Sequence, residues 1–170
     1  MAGLKQKCGW SNESEHSLFR QLFNRILHMM AKSLPGAWGF RAFLHKLRGV
    51  KIHGDVFISS GVYIDDAHPE YLEIGDNVCL GVESAIITHF RDQKSGIKIE
   101  DNVFIGPKSI LLPGITIGEG AIIGSNSVVS EDIPPYTFAV GNPAKPIKKV
   151  KNPLGVTGSF KDYRAGLSDL

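Results

Sequence analysis

Cysteine is scarce: the chain has two, Cys8 and Cys79, among 170 residues. Cys8 stands in a polar N-terminal stretch and Cys79 in an apolar one, and neither belongs to a CxxC or a Cys/His zinc spacing. That pattern excludes a disulfide scaffold and fits two reduced thiols in a cytoplasmic protein. Charge of one sign is lacking too. The 19 Lys+Arg and 17 Asp+Glu leave a net charge of +2. So small a balance predicts no electrostatic footprint for nucleic acid or for an anionic membrane. Long apolar runs are also missing. The stretch from Leu18 to Leu34 is interrupted by Arg20, Arg25, His28 and Lys32, so it predicts no transmembrane segment. The opening MAGLKQKCGW has no apolar core of a signal peptide.

What remains is a chain able to bury a core, at 42% hydrophobic and 21% charged residues. Its length suits one domain with extensions. Glycine is plentiful, at 19 residues, with no collagen-like triplet.

The glycines follow a repeat. From residue 52 an aliphatic residue returns every six positions: Ile52, Ile58, Ile64; then Ile74, Leu80, Ile86; then Ile99, Ile105, Leu111, Ile117, Ile123, Val129. Glycine follows this index residue at Gly75, Gly81, Gly106, Gly118 and Gly124. The fifth position is small or branched, from Val56 and Val62 to Ser127 and Ile133. Period six suits neither a helix nor a long strand. It suits short strands joined by tight corners, with the index and fifth residues inward, and glycine where a corner needs positive φ or close backbone approach. Hexapeptide repeats are the signature of a parallel β-helix, and three hexads make one triangular coil. Twelve hexads predict four coils.

Such a column needs caps. At the N-terminus, Leu18, Leu22, Ile26 and Met29 fall at helical spacing, Pro35-Gly36 breaks the run, and Trp38 to Arg48 reads as a second short helix. Its Trp38, Phe40 and Phe43 read as packing residues. The organisation expected is a helical cap over 1–49, a β-helix domain over 50–135 with a protruding loop at 91–98, and a C-terminal loop and tail over 136–170. The tail from Lys151 to Leu170 either packs on the coil or stays free of it.

The repeat breaks twice, after the hexads starting at Ile64 and Ile86. Their fifth positions are His68 and Phe90 instead of a small residue. Both hexads are third in their coil, so the breaks share a face one coil apart. Irregular polar segments on a rigid repeat are where function concentrates. His89 is the catalytic candidate, since imidazole takes a proton near neutral pH. Asp65 and Asp66 could orient an imidazole or bind a sugar hydroxyl. His68, beside Pro69, reads as a structural corner residue. A zinc site from His68, His89 and a carboxylate is the weaker reading, because a third histidine at repeat spacing is missing.

The stretch Val50–Val150 resembles the left-handed β-helix acyltransferases of the hexapeptide-repeat superfamily, and especially bacterial sugar and polysaccharide O-acetyltransferases of the maltose and galactoside types. The residues that carry the likeness are LEIGDNV at Leu72–Val78, ITH at Ile87–His89, and LPGITIG, a VV-x-x-DIPP turn and a GNPAK loop after Ile97. The resemblance implies a left-handed all-β repeat and a homotrimer with active sites between subunits. It implies acetyl-CoA as acyl donor, no metal, and His89 as general base on a sugar or polysaccharide-precursor hydroxyl. It places Gly81, Gly106, Pro107, Gly124 and Ser125 beside the pantetheine arm and Lys145 and Lys148 near the nucleotide phosphates. Asp66, Asp65 and Ser59 match the acceptor side. The chain departs from those relatives at Ser130-Glu131, at Phe104, in its cap, and in lacking their sugar-binding Asn, so its acceptor can differ. N-acetyl transfer to an amino sugar, a γ-type carbonic anhydrase and a non-enzymatic β-helix scaffold are the alternatives.

Overall fold

The computed structural model describes residues 17–36, 39–89 and 96–170. Cys8, Trp38, Phe90 and most of the expected loop, 91–95, lie outside the described residues.

The hexads fold into twelve strands of two or three residues: β1 (Lys51–Ile52), β2 (Val56–Ile58), β3 (Tyr63–Ile64), β4 (Leu72–Ile74), β5 (Val78–Leu80), β6 (Ala85–Ile86), β7 (Ile97–Ile99), β8 (Phe104–Ile105), β9 (Ile110–Leu111), β10 (Ile115–Ile117), β11 (Ile122–Ile123) and β12 (Val128–Val129). They stack in three parallel faces, ordered β1-β4-β7-β10, β2-β5-β8-β11 and β3-β6-β9-β12. From β1 to β10 the backbone completes three turns, and β10 to β12 supply the last rung. Ile97 and Lys98, placed by sequence in the protruding loop, already belong to β7.

All twelve index residues are buried, and so are the small or branched residues at the fifth positions. Period six works because each side of the triangle sends two side chains inward and leaves the corner outside. Register follows from this, since a slip by one residue would turn the aliphatic column to solvent.

The two roles of glycine separate cleanly. Positive φ at the corners is carried mostly by other residues, among them Asn77, Glu83, Asn102, Lys108 and Asn126, together with Gly61 and Gly120. The glycines that follow index residues serve close approach. A Cβ on Gly106 would lie 2.5 Å from the Ser125 nitrogen and 2.6 Å from the Ile123 carbonyl oxygen. Both are backbone atoms of the next rung and cannot turn aside. Gly106→Ala is therefore expected to destabilise the fold by about 2 kcal/mol or more, read as a fall in denaturant midpoint at constant m-value.

After β12 the chain adds β13 (Thr137–Gly141) parallel to β11, then β14 (Ala144–Val150) and β15 (Leu167–Ser168) antiparallel, with α3 (Phe160–Ala165) before β15. The tail packs on the coil. Leu154, Tyr163 and Leu167 cover the outward Phe104, Ile122 and Phe138 of the second face. The Val156 and Thr157 N–H groups donate to Asn77 Oδ1 at 2.9 and 3.1 Å, and Asn77 in turn donates to Asn102 Oδ1 at 2.7 Å.

At the other end, α1 (Leu18–Ser33) and α2 (Phe40–Arg48) close the first coil. Their orientation reverses the expectation for an amphipathic cap. The helices bury Asn24, His28, Arg41, His45 and Arg48, while Leu18, Leu22, Ile26 and Met29 are 83, 59, 45 and 59% exposed. Phe40 and Phe43, expected as packing residues, are exposed as well. Arg41 and Arg48 donate to coil carbonyls that aliphatic side chains could not satisfy, His28 and His45 bond Arg48 in turn, and this cluster, with Leu27, Ala31, Ala42 and Leu44, sets which face turns inward.

Candidate active site

The two breaks of the repeat meet at one corner. β3 pairs with β6 in the register Ile64↔Ile86, so the segments that leave these strands stack. The Asp65 N–H donates to the Ile86 carbonyl at 3.0 Å. Asp65 is 2% exposed, and its carboxylate is fully engaged. Oδ2 takes the Thr88 N–H at 3.1 Å and His89 Nδ1 at 2.5 Å. Oδ1 takes the Ala67 N–H at 2.9 Å. Burial alone would raise the Asp65 pKa, but the bonds from Ala67, His89 and Thr88 outweigh it and hold the carboxyl below its usual value.

An ionised carboxylate at Nδ1 requires that this nitrogen carry the proton. Nε2 of the neutral ring is then the basic atom. The His89 side chain is 32% exposed, so solvent and ligands reach it. His68 buttresses the ring. The two imidazoles meet edge to face with centroids 5.2 Å apart, and His68 stacks on Tyr71 and bonds Glu70 through Nδ1 at 3.1 Å. Thr88 Oγ1 donates to the His68 carbonyl at 2.7 Å and ties the two breaks together. Among the described residues no group of three or more His, Cys, Asp or Glu is arranged to hold a metal.

Of the two roles open to Asp65, the structure thus shows contact with the imidazole. Asp66 points elsewhere: its Oδ1 lies 3.2 Å from Arg48 Nη2 and 3.7 Å from His28 Nδ1, with the side chain 36% exposed. Ser59 is not brought to His89. It follows β2 at a different corner, in line with Gly81, Gly106 and Gly124, where each residue's N–H donates to the rung beyond. Val82, Pro107 and Ser125 form the outer edge of that corner, and Lys145 continues it through its pairing with Val140. Lys145 Nζ meets Glu131 Oε2 at 2.9 Å and Lys148 Nζ meets Asp169 at 3.8 Å. Both are exposed ion pairs, worth little and readily exchanged for an anionic ligand. Cys79 is a free thiol on the second face, its pKa pushed up to about 11 by burial, so it is a poor nucleophile.

Arg48 was not legible as a site residue. Its side chain is fully buried beneath the corner. Nη1 donates to His28 Nδ1 at 3.1 Å and His45 Nδ1 at 2.9 Å. Nη2 donates to the carbonyls of Ile64 at 3.0 Å and Asp65 at 2.7 Å, and to Asp66 Oδ1. One guanidinium therefore holds the backbone that carries Asp65. Burial, reinforced by Arg48, lowers His28 to about 4 and His45 to about 3. Both rings are neutral and can accept from the cation. No spacing in the sequence links Arg48 to Asp65, because the link runs through backbone carbonyls.

Comparison with known proteins agrees with the repeat and the fold. Residues 96–131 match the family described as bacterial transferase hexapeptide (six repeats). A Schizosaccharomyces pombe protein named as an acetyltransferase is 51% identical over 92 residues, which are 48% of this chain and 44% of that one. The chain spans less than half the length of the curated relatives it matches. Among solved structures, a hexapeptide-repeat acetyltransferase of Vibrio cholerae complexed with acetyl coenzyme A superimposes with a TM-score of 0.61 at 26% identity, covering 79% of this chain and 88% of that one. A maltose O-acetyltransferase from Clostridium difficile gives a TM-score of 0.56 at 27% identity, with the same coverage of 79% and 88%. Repeat, register and neighbours together give this chain a parallel β-helix fold similar to that of the hexapeptide-repeat acetyltransferases.

Proposed function

We propose that the protein transfers an acetyl group from acetyl-CoA to a hydroxyl of a sugar or polysaccharide precursor, with His89 as general base. The observation that carries this reading is the Asp65–His89 pair, a buried carboxylate bonded to Nδ1 of a part-exposed imidazole. Acetyl-CoA supplies the activated thioester. His89 Nε2 takes the proton of the acceptor hydroxyl as its oxygen bonds to the acetyl carbon, and returns it to the departing thiolate sulfur. Asp65 holds the ring in the required tautomer and stabilises the imidazolium formed between these steps.

The residues suit the donor. Gly81, Gly106 and Gly124 are demanded by coil stacking whatever binds, but the corner they leave is low, and Val82, Pro107 and Ser125 offer it a short-chained wall. Lys145 and Lys148 stand at its C-terminal end, where they would meet phosphates. This wall and His89 lie at different corners of one chain, a triangle side of about 20 Å apart. A trimer, with the wall of one subunit facing His89 of the next, accounts for both. A cytoplasmic setting, where acetyl-CoA is made available, belongs to the same reading.

The test is thiol release from acetyl-CoA over a panel of sugars, amino sugars and nucleotide sugars. Turnover with hydroxyl acceptors is expected. Turnover confined to amines would move the reading to N-acetyl transfer. No transfer, together with no thermal stabilisation by CoA, would leave a β-helix scaffold.

A further inference from the structure

The cap shows what it is built to meet. Along α1, Leu18, Leu22, Ile26 and Met29 recur at one-turn spacing and all face solvent. On α2, Phe43 and Leu47 are 53 and 44% exposed. Large apolar side chains so grouped mark an interaction surface. The helices cannot turn them inward, because the opposite faces carry the polar residues that bind the coil.

Charge on the cap is mostly positive. Residues 1–49 contain eight Lys/Arg against two Asp/Glu, with Arg41 and Arg48 buried, whereas residues 50–170 contain eleven Lys/Arg against fifteen Asp/Glu. The near-neutral total therefore hides a basic cap on an acidic coil. Arg25, Lys32 and Lys46 are exposed beside the apolar side chains. Among the described residues no helix is long and apolar enough to cross a membrane.

We propose that the cap docks on an anionic lipid surface, with α1 lying in the interface plane, its apolar stripe in the headgroup–acyl boundary and its cations against lipid phosphates. A helix with Leu, Phe and Met on one side and Lys or Arg beside them has the composition for this placement. The acidic coil is repelled by the same surface, so the molecule orients with its cap down. A second cap pressed against the first would bring like charges together, which argues against a symmetric cap-to-cap pair.

The test is co-sedimentation of the full chain with vesicles of phosphatidylcholine alone and with about one-third phosphatidylglycerol. Binding to the anionic vesicles, weak binding to the neutral ones, and release by salt are expected. Leu22→Glu/Met29→Glu and Arg25→Gln/Lys46→Gln, each checked for an unchanged circular dichroism spectrum and melting temperature, are expected to weaken partitioning at least about tenfold. No binding by the wild type, or binding that neither variant alters, overturns the proposal. A change in subunit count in Leu22→Glu/Met29→Glu, measured by light scattering, also overturns it and makes the face a contact between copies.

Discussion

His89→Ala is expected to reduce acetyl transfer by about a hundredfold to ten-thousandfold, the scale of a positioned general base. The loss should fall on kcat, with acetyl-CoA binding retained, because the base acts on the acceptor hydroxyl in the transition state while the donor is held along the glycine-lined wall and its lysines. Melting temperature should change little, since the side chain is part-exposed and its one strong partner, Asp65, keeps the Thr88 and Ala67 N–H groups. Asp65→Asn is the companion variant. An amide can present its NH2 to Nδ1 and so favour the tautomer with the proton on Nε2, where no base is available. A kcat loss of at least about tenfold with preserved acetyl-CoA affinity is expected. A fully active His89→Ala would sink the site assignment, and a fully active Asp65→Asn would reduce Asp65 to a turn residue.

The second large effect is on stability against acid. His28 and His45 are neutral in the fold down to about pH 4 and 3, whereas in the unfolded chain they take protons near 6.5. Below pH 6.5 the unfolded state therefore binds more protons, and stability falls as pH falls. Their contribution is complete above pH 6.5 and is lost progressively down to the folded values. Each histidine can cost up to about 1.4 kcal/mol per pH unit within that window. Asp65, with its lowered pKa, acts in the same direction but only at lower pH, as the carboxyl itself protonates. Denaturant midpoints at pH 7.5, 6 and 5 measure the slope. His45→Asn retains an acceptor for Arg48 without a titrating ring, so a smaller slope is expected. An unchanged slope would place the acid sensitivity elsewhere.

These two effects are joined through Arg48. The cation that adds to burial in keeping His28 and His45 neutral also grips the Ile64 and Asp65 carbonyls. Acid that loosens the cap should thus also disturb the His89 corner.

The coil was legible in the spacing alone. An aliphatic residue every six positions has one economical burial, and the two places where the spacing fails could be counted to the residue. His89 followed from the second of these breaks, as the basic side chain beside the largest insertion. The glycines after the index residues were legible as corner residues. That they serve close approach and not positive φ was decided only by the distance to the next rung, 2.5 Å at Gly106.

The tertiary structure alone decided the rest, for one physical reason: it concerns groups whose partners are backbone atoms or lie far along the chain. Asp65 and His89 are separated by 24 positions and meet because β3 and β6 stack in register. Arg48 reads as an ordinary basic residue at a helix end until two carbonyls and two buried imidazoles converge on it. The cap's helical spacing was visible, but spacing does not say which face turns inward. A polar cluster with partners in the coil claimed the inside, and the apolar stripe was left facing out. The gathering of cations at one end stood in the sequence, hidden only by summing charge over the whole chain.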